Sequence, residues 1–442
     1  MAESNASKFS SKITSDGTIG QGGLAAGVAG VGGTDWQAVK TTSFTAVAGE
    51  GYFVNTTSGA ITITLPGSPS VGDTIEIRDY SNSFGTNNVT LNPNGKKING
   101  STGNGTLDTN DIMVVIVYSG EDKGWLSVEN EAKTNLVVEN YITATGGTVT
   151  TSGDYKIHTF TGDGCFVVSS IGSGIPCAQA STVDYLVVAG GAGGGGNDGG
   201  GGAGGGYRES KDSTLSSPHT ASPLAATTGL TVSATTYPIT VGSGGSAGTS
   251  TVNGGSGSNS VFSTIISAGA GGGKSESGTP NNGVPGGSGG GASASGGSTG
   301  VGGTGNNPPV SPPQGNNGGS SYNPAGAGGT PGCRSGGGGG GAGSVGGNAN
   351  GGGGDGGSGT TSSINGTPTE RSSGAGGGAR GPAGPGGNPG GAGAGAGTTN
   401  GTAGSGSANS GGGGGGKGEN PPIDVGIGSG GSGVVIIRYK FQ

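Results

Sequence analysis

The chain has 442 residues, 117 of them glycine, and carries a formal net charge of −7 with a pI near 4.8. Hydrophobic residues make up 28% and charged residues 10%, too few for an ordinary globular core to run through the whole chain. No Lys/Arg cluster offers an electrostatic footprint for nucleic acid or an anionic membrane, and no apolar run is long enough to cross a bilayer, so neither nucleic-acid binding nor membrane insertion is expected.

The glycine is segregated, with 27 residues up to Ala189 and 90 from Gly190 onward. Trp36, Trp125 and six of the eight phenylalanines precede residue 170, so conventional core material is concentrated in the N-terminal part. Residues 1–35 are polar and Gly/Ala-rich without periodicity, and "GQGGLAAGVAGVGG" (20–33) reads as an extended arm that docks onto a larger assembly. No apolar h-region follows Met1, so synthesis in a cytoplasm without a secretory signal is expected.

Residues 36–131 are predicted to form an all-β module. Ile61, Ile63 and Leu65 alternate with Thr62 and Thr64, Ile75 and Ile77 repeat the pattern, and "DIMVVIVYSGEDKGWLSVEN" reads as a buried strand, a turn and a strand carrying Trp125. Short strands at close spacing with Gly/Asn turns argue for a sandwich or a trimeric β-prism. The module has few large apolar residues, and a homotrimer held mainly through residues 36–182 would complete its core. Residues 132–182 read as a smaller β connector, with His158 a strand residue inside "YKIHTFT". No helical period appears anywhere, so essentially no α-helix is expected.

From residue 183 short apolar strands run into glycine, as in "YLVVAGGAGGGG", "YPITVGSGGSAG" and "FSTIISAGAGGG", and the terminal "GSGGSGVVIIRYKFQ" reverses the order. The first and last strands, around Val187 and Ile436, are positioned to pair and close the domain. A collagen register holds for only six triplets in "GARGPAGPGGNPGGAGAG" (378–395), too few to explain the region. Extended three-fold helices of the polyproline-II type have no internal hydrogen bonds, so their N–H and C=O groups point outward. Glycine lets neighbouring helices approach closely enough to pair those groups. Ordering costs roughly 1–2 kcal/mol per residue and each bond returns only about 0.5–1.5 kcal/mol, so only a many-helix bundle could hold. Residues 183–442 are therefore predicted to be a polyglycine-II bundle, with Gly338 inside it and Ser335 at its border.

Little chemistry is on offer. His158 and His219 lack a nucleophile–base pattern, and Asp73, Glu76 and Asp79 read as decoration of a strand face and turn rather than as paired catalytic carboxylates. "TGDG" (161–164) has one carboxylate, too few for calcium. No catalytic residue, metal or cofactor is expected. Cys165, Cys177 and Cys333 form no disulfide framework and fit no zinc pattern; buried or idle thiols are the plain reading, with a Cys165–Cys177 link the alternative.

The stretches "VDYLVVAGGAGGGG", "GSNSVFSTIISAGAGGG", "NNPPVSPPQGNNGG" and "GGSGVVIIRYKFQ" resemble the glycine-rich domain of virion structural proteins from tailed phages, especially those of marine cyanobacteria. "SGAITITLPGSPSVGDTIEIRDYSNSFGTNNVTLNPNGKKI" resembles a β module of phage fibre proteins. The resemblance extends to glycine-rich adhesins at the tips of long tail fibres, which are stacked polyglycine-II helices gripping a receptor with variable tip loops. Those are separate tip proteins, whereas this chain carries its own β module and arm. The resemblance therefore implies a non-enzymatic virion fibre at the virion surface, attached through residues 1–35 to tail or capsid proteins and binding a host glycan or outer-membrane protein.

A capsid-decorating head fibre and a virion-bound glycan depolymerase are the alternatives. Outside phages, an ice-binding or matrix protein could also use glycine helices. Loops on a rigid frame usually carry function, so recognition is expected in 207–224, 274–285, 306–324 and 362–373. Tyr207, Arg208, His219, Tyr322, Glu370 and Arg371 are the candidate anchors.

Overall fold

A computed structural model of the chain describes residues 34–128, 136–138, 140–173, 177–276, 281–295, 298–324, 334–380, 386–391, 394–418 and 426–442. Nearly all of the 1–35 arm and Cys333 therefore lie outside the described residues. The chain divides into two compact units, the first ending at Asn140 but including Ser173, the second running from Tyr141 to Gln442.

The first unit is a sandwich of two five-stranded sheets. Its strands are β1 (Asp35–Lys40), β2 (Phe44–Thr45), β3 (Glu50–Val54), β4 (Ile61–Thr64), β5 (Thr74–Asp79), β6 (Val89–Asn92), β7 (Gly105–Leu107), β8 (Met113–Tyr118), β9 (Trp125–Ser127) and β10 (Leu136–Val138). The orders are β1-β3-β5-β8-β9 and β10-β7-β6-β4-β2. From β1 to β6 successive strands alternate between the sheets, and β1/β3, β3/β5, β2/β4 and β4/β6 all pair in parallel. The chain thus winds as a three-turn coil before β7–β10 finish it with antiparallel pairs.

The alternation visible in the sequence sorts Ile61, Ile63, Ile75, Ile77, Val89 and Leu91 to one shared core with Tyr52, Val114, Ile116 and Trp125. These residues form one cluster within the chain.

The second unit begins earlier than composition indicates. Its strands are β11 (Thr143–Thr145), β12 (Thr148–Ser152), β13 (Tyr155–Phe160), β14 (Gly164–Ser170), β15 (Thr182–Val188), β16 (Tyr207–Ser210), β17 (Ala225–Ala226), β18 (Leu230–Thr231), β19 (Thr236–Thr240), β20 (Ser260–Phe262), β21 (Ile265–Ser267), β22 (Thr360–Ser362), β23 (Thr369–Arg371) and β24 (Val434–Lys440). One helical turn, α1 (Cys177–Ser181), precedes β15.

A seven-stranded sheet orders β12-β13-β24-β15-β16-β17, with β18 also on β15, and a five-stranded sheet orders β11-β14-β19-β20-β21. β15 and β24 are antiparallel neighbours, with Leu186 opposite Ile436, as their bracketing positions in the sequence predict. β13 pairs with the other edge of β24. Residues 141–172 are therefore part of the glycine-rich unit's sheets rather than a separate connector.

All seven residues of β15 are buried. One face of its sheet packs Tyr185, Val187, Val435 and Ile437 against Phe166, Ile239 and Phe262 of the five-stranded sheet. The other face packs Leu186, Val188, Val434 and Ile436 against Tyr207, Ala342 and Ile364. His158 is a buried strand residue, its ring nitrogens 2.7 Å from Gly146 O and 3.1 Å from Tyr439 Oη.

The glycine runs leave these sheets as neither helix nor strand, and most are buried. Their hydrogen bonds repeat every three residues. Gly336 and Gly339 donate to Gly378 and Ala375, Gly337 and Gly340 to Ala292 and Gly289, and Gly338 and Gly341 to Gly347 and Ser344. Ala189, Ala192 and Gly195 likewise donate to Gly206, Ala203 and Gly200; Gly190 and Gly193 to Ser258 and Gly255; Gly191 and Gly194 to Gly431 and Gly428. Each run is thus bonded to three different neighbours.

The spacing leaves no room for side chains on most positions: a Cβ at Gly338 would lie 1.9 Å from Asp355 O and one at Gly191 2.1 Å from Gly412 O. Where runs leave a gap, alanine fills it, as in the buried Ala192–Ala203–Ala270 cluster. Ser335, expected at the border, is fully buried and bridged to both Tyr322 and Ala379.

Two measurements check this arrangement. Amide hydrogens in Gly336–Gly341 and Gly411–Gly416 should exchange slowly, as a set, because they are buried and mostly bonded to other runs; uniformly fast exchange would contradict it. Gly338→Ala should lower stability by roughly 1–3 kcal/mol or more through overpacking. Gly401→Ala should change it by less than about 0.5 kcal/mol, since its Cβ would meet only Thr398 Oγ1, at 3.1 Å.

Candidate binding surfaces

The run 189–196 leaves β15, turns at Asn197–Asp198 and returns as 199–206 to β16. The second unit therefore has a sheet end and, at Asn197–Asp198, a turn end. The candidate loops divide between them.

Segments 207–224 and 362–373 meet at the sheet end, where Thr220 N donates to Ser363 Oγ at 2.7 Å and Ser363 N to Thr220 O at 2.9 Å. Gln314 joins them, its carbonyl accepting from Tyr207 N at 2.9 Å. Segment 274–285 and Tyr322 lie toward the turn end; residues 277–280 fall outside the described residues.

Three of the six candidate anchors are withdrawn from the surface. Tyr207, His219 and Arg371 are buried. Tyr207 lies on β16 opposite Val188, and its hydroxyl donates to Glu209 Oε2 at 2.9 Å. Glu209 also accepts from Ser222 N at 2.9 Å and from Ser362 Oγ, tying segments 207–224 and 362–373 to one carboxylate. Burial is the first cause that lowers the Arg371 guanidinium pKa, opposed by the nearby Tyr207 and Glu209. His219 Nδ1 meets Ser217 Oγ at 2.7 Å; burial, helped by Arg438 and Lys211, pushes its pKa down to about 4. These side chains knit the sheet end together and cannot meet a partner in this conformation.

Arg208, Tyr322 and Glu370 are half-buried. Arg208 reaches Ile266 O at 3.5 Å, Glu370 accepts from Gly359 N at 3.1 Å, and Tyr322 pairs through its backbone with Ser335. Arg208 and Glu370 belong to strands at the sheet end, Tyr322 to the turn end, so the six candidates form no single site.

Beneath the sheet end lies Asp184 on β15, fully buried and opposite Arg438 in register. Its Oδ1 accepts from Asp212 N at 2.7 Å, while Oδ2 has no hydrogen-bond partner. Burial pushes its pKa up to about 7 against the pull of that N–H.

The turn end gathers charges that the sequence reading did not single out. Asn197 and Asp198 both adopt positive φ, 55° and 57°, which makes the reversal. Asn197 Nδ2 donates to Glu276 Oε2 at 2.6 Å, Glu276 forms an ion pair with Arg334, and Arg380 Nη1 stands 3.9 Å from Asp198 Oδ2. Asp198 is fully buried, and that burial lifts its pKa to about 7 although Arg380 pulls it down. The available signal was the Asn-Asp pair interrupting "GGGGNDGGGG", since these residues tolerate left-handed turn conformations.

The weighed carboxylates do not face one another: Asp79 accepts from Ser83 N and Asp111 N as a buried turn cap, Asp73 accepts from Ser70 N, and Glu76 accepts from Thr34 Oγ1. Cys165 is an exposed free thiol, and the side chain of Cys177 lies outside the described residues.

A family profile described as a glycine-rich domain matches residues 173–440. The chain belongs to the glycine-rich domain family. No curated protein matches it in sequence. The glycine-rich domain, as the profile delimits it, takes in β15, β24 and every glycine run between them, but omits β11–β14, which share its two sheets.

Asp184→Asn tests the buried carboxyl. The pKa is raised in the folded state, so the stability Asp184 contributes is complete below about pH 4, declines as the pH rises toward 7 and is absent above it. The two histidines titrate equally in both proteins and cancel in the comparison. Between about pH 8 and about pH 4.5, urea unfolding should shift the difference by roughly 2–4 kcal/mol in favour of the wild type. A difference independent of pH would mean that the folded-state pKa is not raised.

Proposed function

We propose that the chain is a non-enzymatic fibre protein of a tailed-phage virion, attached through residues 1–35 and carrying the glycine-rich unit outward to a host glycan or outer-membrane protein. The observation that carries this reading is the three-residue hydrogen-bond period of the buried runs. It supports taking them as polyglycine-II helices, the architecture implied by the phage-like strings around them. Such a bundle is rigid and has few side chains, so recognition falls to its ends. The turn end, with Asn197, Glu276, Arg334 and Arg380 around a reversal and Tyr322 beyond them, is the better candidate. The sheet end spends its charged groups on itself.

That same burial of Tyr207, His219 and Arg371 favours a second reading, a capsid-decorating head fibre with no specific receptor. Antiserum against the full chain separates the possibilities. On the first reading it labels virions of the encoding phage and slows their adsorption. Virions carrying Arg334→Ala with Arg380→Ala, at unchanged melting temperature, should adsorb about tenfold more slowly, because display multiplies weak contacts. Labelled virions with unimpaired adsorption leave the head-fibre reading; unlabelled virions end both.

A further inference from the structure

We infer that a second copy of this chain docks face to face on the outer side of the β1-β3-β5-β8-β9 sheet. The two outer faces of the first unit differ in kind. On β4, β6 and β7 the outward residues are Thr62, Thr64, Thr90, Asn92 and Thr106, a surface suited to water. On the other sheet the outward residues are Trp36 and Phe53 on β1 and β3, Thr74, Glu76 and Arg78 on β5, and Met113, Val115, Val117 and Leu126 on β8 and β9. Phe53 stacks on Trp36 with ring centroids 4.5 Å apart and meets Tyr80 edge-on at 6.3 Å. Trp36 remains 37% exposed and Tyr80 58%. An antiparallel or mixed sheet with a free face normally turns polar residues to it, and here two apolar areas flank the single polar strand β5, the composition of an interaction site.

The occupant follows from the charges within that patch. β5 is the middle strand, and its outward residues include Glu76 and Arg78, two positions apart on one face. Glu76 accepts from Thr34 Oγ1, and Arg78 donates to Asp111 Oδ1 at 2.5 Å and Asp111 O at 2.7 Å. Both keep hydrogen-bonding capacity, since a carboxylate has about four acceptor sites and a guanidinium five donors. A two-fold axis lying in the interface between the two sheets, across β5 at the level of Ile77, sets Glu76 of each copy against Arg78 of the other, so the face is complementary to itself. A three-fold axis along the strands would instead bring three Glu76 to one level and three Arg78 to another.

A glycan would find no hydrogen-bonding side chain on Met113, Val115, Val117 or Leu126. Four strands of five or six residues and one of three present roughly 400 Å². A pair therefore buries about 800 Å², the size of a weak or transient interface, and a weak dimer in the micromolar range is expected.

Sedimentation of the full chain at tens of micromolar tests this. The wild type should sediment as a dimer. Glu76→Arg and Arg78→Glu should each be monomeric, weakened at least about tenfold by like charges across the axis, with unchanged circular dichroism. Mixed in equal amounts they should form a heterodimer, because two arginines of one copy then face two glutamates of the other. Val115→Glu should be monomeric in every mixture. A monomeric or trimeric wild type, single variants that still dimerise, or a mixture that stays monomeric would overturn the proposal.

Discussion

A buried backbone amide with no side chain beside it must find a carbonyl on another segment, and the second unit is organised by that requirement. Three successive residues of one run point their N–H groups toward three different neighbours. No run can be placed until its neighbours are, and none can carry a Cβ where a carbonyl oxygen would stand about 2 Å away. Each net bond contributes about 0.5–1.5 kcal/mol against an ordering cost of roughly 1–2 kcal/mol per residue, which is steepest for glycine. The runs alone sit near or below balance. The two sheets shift it, because Tyr185, Val187, Phe166, Phe262 and their neighbours bury apolar surface at about 25 cal/mol per Å². The strands in front of the runs that follow β15, β19, β21 and β23 thus hold ends that the runs cannot hold themselves.

The same constraint sorts the polar chemistry. Side chains larger than alanine are mostly excluded from the run interiors, so ionisable groups collect where the runs begin and reverse. At the sheet end they meet apolar strands and are buried: Glu209 gathers Tyr207, Ser222 and Ser362, and Arg438 lies over the Tyr155 ring at 4.8 Å while donating to Ile364 O. At the turn end no sheet covers them among the described residues, and Glu276 and Arg334 are each about a fifth exposed. One end uses its charges for cohesion and the other presents them.

Alternation made much of this legible. Ile61/Ile63, Ile75/Ile77 and the apolar run Tyr185–Val188 of β15 mark residues that are buried, and they are. Val187 and Ile436 announce the neighbouring strands that close the domain. Period-two patterns fix a face but name no partner, which is why the parallel winding of β1–β6 and the insertion of β13 beside β24 were not visible. The candidate anchors misled for a related reason. Tyr207 and Arg371 look like loop residues between glycine runs, yet both sit on short strands whose other faces are covered. The turn-end charges come from positions as distant as 198 and 380, and only the packing of runs brings them together.

The position of β24 carries the last consequence. It lies inside the seven-stranded sheet, between β13 and β15, so the sheet is complete only when the final strand arrives from the far side of the glycine runs. Everything from 189 to 433 is therefore one excursion whose two ends are pinned side by side, Val188 opposite Val434. Within that excursion a run is fixed backbone to backbone by its neighbours, whereas the reversal at Asn197–Asp198 is held by side chains, Asn197 on Glu276 and the buried Asp198 beside Arg380. Lengthening such a reversal costs little, about 0.6 kcal/mol for each doubling of a flexible loop, and removes none of the bonds between runs. The architecture separates runs with no room for a side chain from a reversal that side chains hold.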